Sequence, residues 1–115
     1  MNEKKETTEW TPGKEGIYVK DGVLHVAGFE FIQRVAQALS GETRLRILKM
    51  IGETEMDVGQ LSDKLKHSKA NISSQIRKLE EAKLVESTYR PGKKGIKKVI
   101  RRNVKEIRIY LDLES

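Results

Sequence analysis

Between Ser68 and Lys78 the chain reads SKANISSQIRK, and its side chains fall into two sets. Ile72 and Ile76, followed by Leu79, recur at helical spacing and form an apolar row. Away from that row lie Asn71, Ser74 and Lys78 at i, i+3 and i+7, with Gln75 on the flank. Lys69, Ala70 and Arg77 extend the same polar surface. Serine and asparagine prefer caps and turns to helix interiors, so a helix needing only solubility would use Glu, Lys and Ala in their place. What these side chains do well is read base edges. Asn and Gln make paired hydrogen bonds to adenine, Lys reaches guanine, Ser suits base or phosphate, and Ala can touch a thymine methyl. The competing account is a solvated polar face.

A second constellation follows. From Arg90 to Arg102 the chain carries seven basic residues, Arg90, Lys93, Lys94, Lys97, Lys98, Arg101 and Arg102, and no acid. Residues 1 to 16 hold four acids and three lysines, so the net charge of +6 is concentrated in one place. Like charges in a two-stranded ribbon repel one another. Lysines can also guard an edge strand against aggregation, but one or two suffice for that. Phosphate contact accounts better for this density.

Other chemistries find little support. The chain has no cysteine, which leaves no disulfide, thiolate metal site or cysteine nucleophile. Its two histidines, His25 and His67, read as ordinary packing or surface residues, so no metal and no cofactor is expected. The serines have no histidine placed to activate them, and no Gly-rich phosphate-binding motif is present, so an enzyme is not expected. No segment approaches the roughly 20 apolar residues of a membrane span. The polar start MNEKKETTEW resembles no signal peptide, and a cytoplasmic protein is expected.

The elements that must position these groups can be read along the 115 residues. Residues 1–15 read as a mostly flexible arm. Residues 16–27, with Asp21-Gly22 between two β-prone runs, read as a hairpin on a type I′ turn. Gly28–Leu39 reads as a helix apolar on two sides: Phe29, Ile32, Ala36 and Leu39 on one, Phe31, Val35 and Ala38 on the other. Ser40 reads as the cap of a second helix that buries Leu45, Leu48 and Ile51. A short extended piece near Met56 precedes a third helix opened by Asp57 with Gln60 at the capping-box position, burying Val58, Leu61 and Leu65. Ser68 caps the fourth helix, 68–83. Two strands joined by Pro91-Gly92-Lys93-Lys94-Gly95 follow, and residues 104–115 form a last strand with Ile107, Ile109, Leu111 and Leu113 on one face. Three helices and a basic hairpin are the order of a winged helix-turn-helix, here 28–103, with the fourth helix of the chain in the DNA major groove and the wing, 90–102, on the backbone or minor groove. The fold class is therefore α+β, a winged helix-turn-helix with an added N-terminal β-hairpin and C-terminal strand.

ALSGETRLRILKMI and DVGQLSDKLKHSKANISSQIRKLEEAKLV resemble the ArsR-type winged-helix transcriptional regulators, and YRPGKKGIKKVI is similar to a subgroup with a Pro-Gly-x-x-Gly wing. The resemblance spans about residues 28–103. It implies DNA-contacting positions at Ser68, Lys69, Asn71, Ser73, Ser74 and Gln75, and a homodimer. From the residues themselves, Arg77, Lys78, Arg90, Lys93, Lys94, Lys97, Lys98 and Arg101 join the candidate DNA-binding set. Many ArsR-type proteins sense metals through cysteines, which this chain lacks, so the effector is unreadable. The expected partner is double-stranded DNA. The alternatives are a sequence-blind, chromatin-type nucleic-acid binder and a winged-helix protein-interaction module. Homodimerisation is also expected on physical grounds. At 35% charged and 37% hydrophobic residues the chain is short of core, and the two-sided helix, the hairpin and the last strand exceed what a minimal winged helix needs. A dimer would set two reading helices roughly 34 Å apart.

Overall fold

A computed structural model describes residues 10–113. The hairpin comes first: β1 (Gly16–Lys20) and β2 (Val23–Ala27) pair antiparallel around Asp21 (φ 52°) and Gly22 (φ 80°). Two successive positive φ values are what a type I′ turn demands and what Asp-Gly tolerates. Gly28 (φ 97°) then turns the chain into α1 (Phe29–Leu39). A Cβ at Gly28 would lie 2.8 Å from the Glu15 side chain, so only glycine fits there.

Helices α2 (Glu42–Met50), α3 (Val58–Leu65) and α4 (Lys69–Glu81) follow, with the two-residue strand β3 (Met56–Asp57) between the first two. Asp57 and Gln60 form the capping box as expected: Gln60 N donates to Asp57 Oδ1 at 2.8 Å, and Asp57 N donates to Gln60 Oε1 at 2.9 Å. Ser68 caps α4 by accepting from Asn71 N at 3.1 Å. Lys66 takes the left-handed conformation (φ 57°) that lets α3 end and α4 start within a few residues.

The wing is β4 (Glu86–Gly92) and β5 (Gly95–Arg101), paired antiparallel, with β3 on the other side of β5. Only Lys93 and Lys94 form its turn, since Gly92 pairs with Gly95. The last strand, β6 (Glu106–Tyr110), pairs parallel to β2 and so completes a second sheet ordered β1-β2-β6. Lys105 N donates to Gly22 O at 2.8 Å and pins its start.

Several expectations are corrected here. Ser40 does not cap α2. Its Oγ donates to Gln37 O at the end of α1, and Gly41 takes the N-cap position. In α2 the buried row is Ile47, Leu48 and Ile51, whereas Leu45 is 48% exposed, because that helix offers the core a face one residue round. Helix α4 ends at Glu81, short of Lys83. Only Val35 and Ala38 of α1 are buried, while Phe29 is 77% exposed. Residues 1–9 of the expected arm lie outside the described residues. Its last part docks: Pro12 is buried, and Trp10 packs edge-on against Tyr18 and His25.

That docking seals a titratable group. His25, on the face of β2 turned away from the helices, is buried and shares a 2.9 Å hydrogen bond through Nδ1 with the Tyr110 hydroxyl of β6. Desolvation, then the nearby Arg108 and Lys20, lowers its pKa below 6.5, with Glu106 opposing. A lowered folded-state pKa means stability present above the unfolded value and lost as pH falls through the folded one. Thermal unfolding should therefore show a drop in Tm below about pH 6.5 that His25→Gln diminishes. An identical acid drop in that variant would acquit His25.

Candidate nucleic-acid interface

The apolar row of α4 fixes everything the helix displays. Ile72, Ile76 and Leu79 are at most 1% exposed, packed with α1, α2 and α3. Burial of three aliphatic side chains is worth about 1.5–3 kcal/mol each, so the roll of the helix is settled. Lys69, Ala70, Ser73, Ser74, Arg77 and Lys78 are consequently exposed, as their spacing predicts. Ser68 is exposed too, and its hydroxyl accepts the capping bond from Asn71 N with one lone pair while keeping its own O–H to donate.

Asn71 and Gln75 are half-buried and engaged in a chain of hydrogen bonds. Arg44, in the first turn of α2, donates from Nη1 to Gln75 Oε1 at 2.5 Å. Gln75 Nε2 donates to Asn71 Oδ1 at 3.0 Å, and Asn71 Nδ2 lies 3.1 Å from His67 Nδ1. Arg44 also donates to Ala38 O and Gln37 O, both at 2.9 Å, clamping the end of α1. Arginine can only donate, so it dictates the polarity of the whole chain: Gln75 must turn Oε1 to it, Asn71 must turn Oδ1 to Gln75, and His67 Nδ1 must accept. Each carboxamide uses one N–H and one lone pair in this way and keeps one of each. A donor and an acceptor side by side are what the adenine edge requires. The network aims these amides without exhausting them.

Arg44 was not among the residues singled out from the sequence. A signal existed, because a cation in the first turn of a helix opposes the macrodipole and so needs another role.

The wing is less cationic in space than in sequence. Arg90 pairs with Glu55 at 2.7 Å, Lys97 with Asp57 at 3.7 Å, Lys98 with Glu80 at 3.7 Å and Arg101 with Glu86 at 3.5 Å. None of these four acids lies in the basic run itself. Arg102 folds back over Gly52. Lys93 and Lys94, at the tip, hold no ion pair among the described residues. No group of three or more His, Cys, Asp or Glu among the described residues is placed to hold a metal ion, and no described helix is long and apolar enough to cross a membrane.

Comparison with known proteins places this geometry. Residues 41–87, from the α2 cap to the start of β4, match the family described as bacterial regulatory protein, arsR family. An ArsR-like transcriptional regulator from a Rhodococcus species is 28% identical, aligned over 64% of this chain and 64% of that one, with a TM-score of 0.55. The transcriptional repressor BigR from Xylella fastidiosa is 26% identical over 64% and 70%, with a TM-score of 0.51. A homodimeric winged helix-turn-helix DNA-binding domain from Mycobacterium bovis, at 24% identity over 64% and 65% and a TM-score of 0.57, shares the fold. No curated protein matches the chain. The resemblance to ArsR-type winged-helix regulators, and the α+β winged fold with its added hairpin and last strand, are thus borne out.

The clasp makes an energetic prediction. A double-mutant cycle on Arg44→Ala and Gln75→Ala should give a coupling of about 0.5–1.5 kcal/mol in urea unfolding. Strict additivity would mean that the contact does not hold Gln75.

Proposed function

We propose that this chain, arsR-like over residues 41–87, is a sequence-specific double-stranded DNA-binding transcriptional regulator that works as a homodimer. The observation that carries the reading is the outward row on α4: two carboxamides held in a donor-first chain from Arg44, beside exposed serines and exposed cations. In this reading α4 lies in the major groove. Asn71, Ser74 and Gln75 read base edges, Lys69, Ser73, Arg77 and Lys78 reach bases or phosphates, and Ser68 sets the start of the helix. Lys93 and Lys94 touch the backbone, while Arg90, Lys97, Lys98 and Arg101 must share themselves between their carboxylates and phosphate. The protein is a cytoplasmic regulator and not an enzyme.

Dimerisation follows from apolar surface the protomer leaves open. Ala27 pairs with Tyr110, so Phe29 and Leu111 leave the same end of the β1-β2-β6 sheet. There Phe29 is 77%, Ile109 52% and Leu111 69% exposed. The stripe expected on the last strand starts on the core at Ile107 and then runs off it. Such a patch marks an interface, and a two-fold copy of the same patch is the simplest cover. The M. bovis domain of this fold is itself described as homodimeric. Leu111→Glu and Phe29→Glu should each sediment as monomers at micromolar concentration where the wild type is a dimer. A wild type that is monomeric both free and on DNA refutes this assembly.

In vitro selection from a random DNA library supplies the preferred duplex, and a scrambled duplex the control. Asn71→Ala should cost about 1–3 kcal/mol on the first and little on the second. Lys94→Ala should weaken both alike and lower the salt slope by about one unit. Lys97→Ala should change the slope less, because Asp57 already holds its ammonium. Equal losses on both duplexes from Asn71→Ala would favour sequence-blind binding instead.

A further inference from the structure

We infer that the wing tip is an apolar wedge for the DNA minor groove, with Ile96 as its leading side chain; this rests on the DNA-binding reading above. Strand register sorts the wing into two faces. Thr88–Val99 and Arg90–Lys97 lie on one, Tyr89–Lys98 and Pro91–Ile96 on the other. The first face carries the cations that Glu55 and Asp57 already hold. The second is buried at its root, where Ile100 is fully enclosed and Ser87 and Lys98 reach Glu80 of α4. Towards the tip that same face comes free of the core. Tyr89 is 68% and Ile96 76% exposed, and Pro91 beside them is exposed as well.

A protein that needed only a charged wing would not place isoleucine and tyrosine there, facing water. An apolar surface on a solvated ribbon invites a partner. Charge decides which partner. The turn between Pro91 and Ile96 holds Lys93 and Lys94, which make no ion pair among the described residues, and there is no acid from Arg90 to Arg102. Apolar side chains on either side of a pair of cations suit a polyanion with an apolar interior edge. DNA offers one in its minor groove, where isoleucine and proline side chains pry base steps apart and bend the duplex. Ser87 and Lys98 anchor the root of the wedge face to α4 at Glu80, and in the proposed complex the tip beyond that anchor meets DNA flanking the helix's major-groove site. Such contact selects flexible base steps that no side chain hydrogen-bonds.

The test uses the full chain and the duplex enriched from the random library, end-labelled so that energy transfer reports its bend. Ile96 is exposed, so Ile96→Ser and Ile96→Lys should melt like the wild type. The wild type should bend the duplex. Ile96→Ser should bind about fivefold or more weakly, on the scale of one lost apolar contact, with less bend and an unchanged salt slope. Ile96→Lys should lose the bend too, although it adds a cation. If Ile96→Lys binds as well as the wild type or better and bends equally, charge alone operates the wing and the wedge is wrong. Should Ile96→Ser instead change sedimentation without changing the bend, the patch contacts protein, which also overturns the proposal. Failure of the wild type to bind any duplex would sink the DNA-binding reading and the wedge together. Normal wild-type binding with an indifferent Ile96→Ser would sink only the wedge.

Discussion

Burial of Ile72, Ile76 and Leu79 is the constraint on which the rest of this molecule depends. These three side chains, essentially removed from water, set the roll of α4 about its own axis, and every polar residue on that helix inherits its direction from them. The other helices serve the same end. Ile47, Leu48, Leu61 and Leu65 join those three side chains in one core, and the capping box at Asp57 and the Ser68 cap fix where α3 and α4 begin. A helix held this firmly can afford serines and an asparagine on its outer face, because tertiary packing, and not propensity, keeps it folded.

Arg44 turns that helix into an instrument of defined polarity. One guanidinium bonds the end of α1 through two carbonyls and the polar face of α4 through Gln75. Since it has no acceptor, it leaves the two carboxamides a single orientation. Preorganised side chains bind with less ordering cost than free ones. The clasp also connects the proposed reading face to α1, whose exposed Phe29 belongs to the proposed dimer surface. Helix α1 therefore runs between the proposed dimer surface and the clasp that holds Gln75.

The two sheets divide the remaining work. The β1-β2-β6 sheet gives the domain a second platform, sealed on one face by Trp10 over His25 and left apolar at its end by Ile109 and Leu111. The β3-β5-β4 sheet projects the wing, and four acids at its base partly neutralise it. Those pairs are at least partly exposed and individually worth little. Among the described residues, their effect is to leave the wing's unpaired positive charge at the tip, on Lys93 and Lys94.

Local chemistry was legible in the sequence because local rules suffice for it. Asp21-Gly22 specifies its own turn, Asp57 and Gln60 their capping box, and Ser68 its cap, each within four residues. The outward set on α4 followed from helical periodicity once the apolar row was recognised. Contacts distant in sequence were not legible. Nothing near Gln75 announces a partner 31 residues earlier, and nothing in the run from Arg90 to Arg102 announces Glu55, Asp57, Glu80 and Glu86. The parallel pairing of β6 with β2 spans most of the chain, so alternation in EIRIYLDL could assign faces but not a neighbour. Ile96 looked like one more wing residue until register put it opposite Pro91 with no core beneath. Periodicity and caps act over a few residues, and the sequence holds them complete. Which charge is neutralised, which amide is aimed and which apolar side chain is stranded depends on elements meeting in space, and only the tertiary structure decides that.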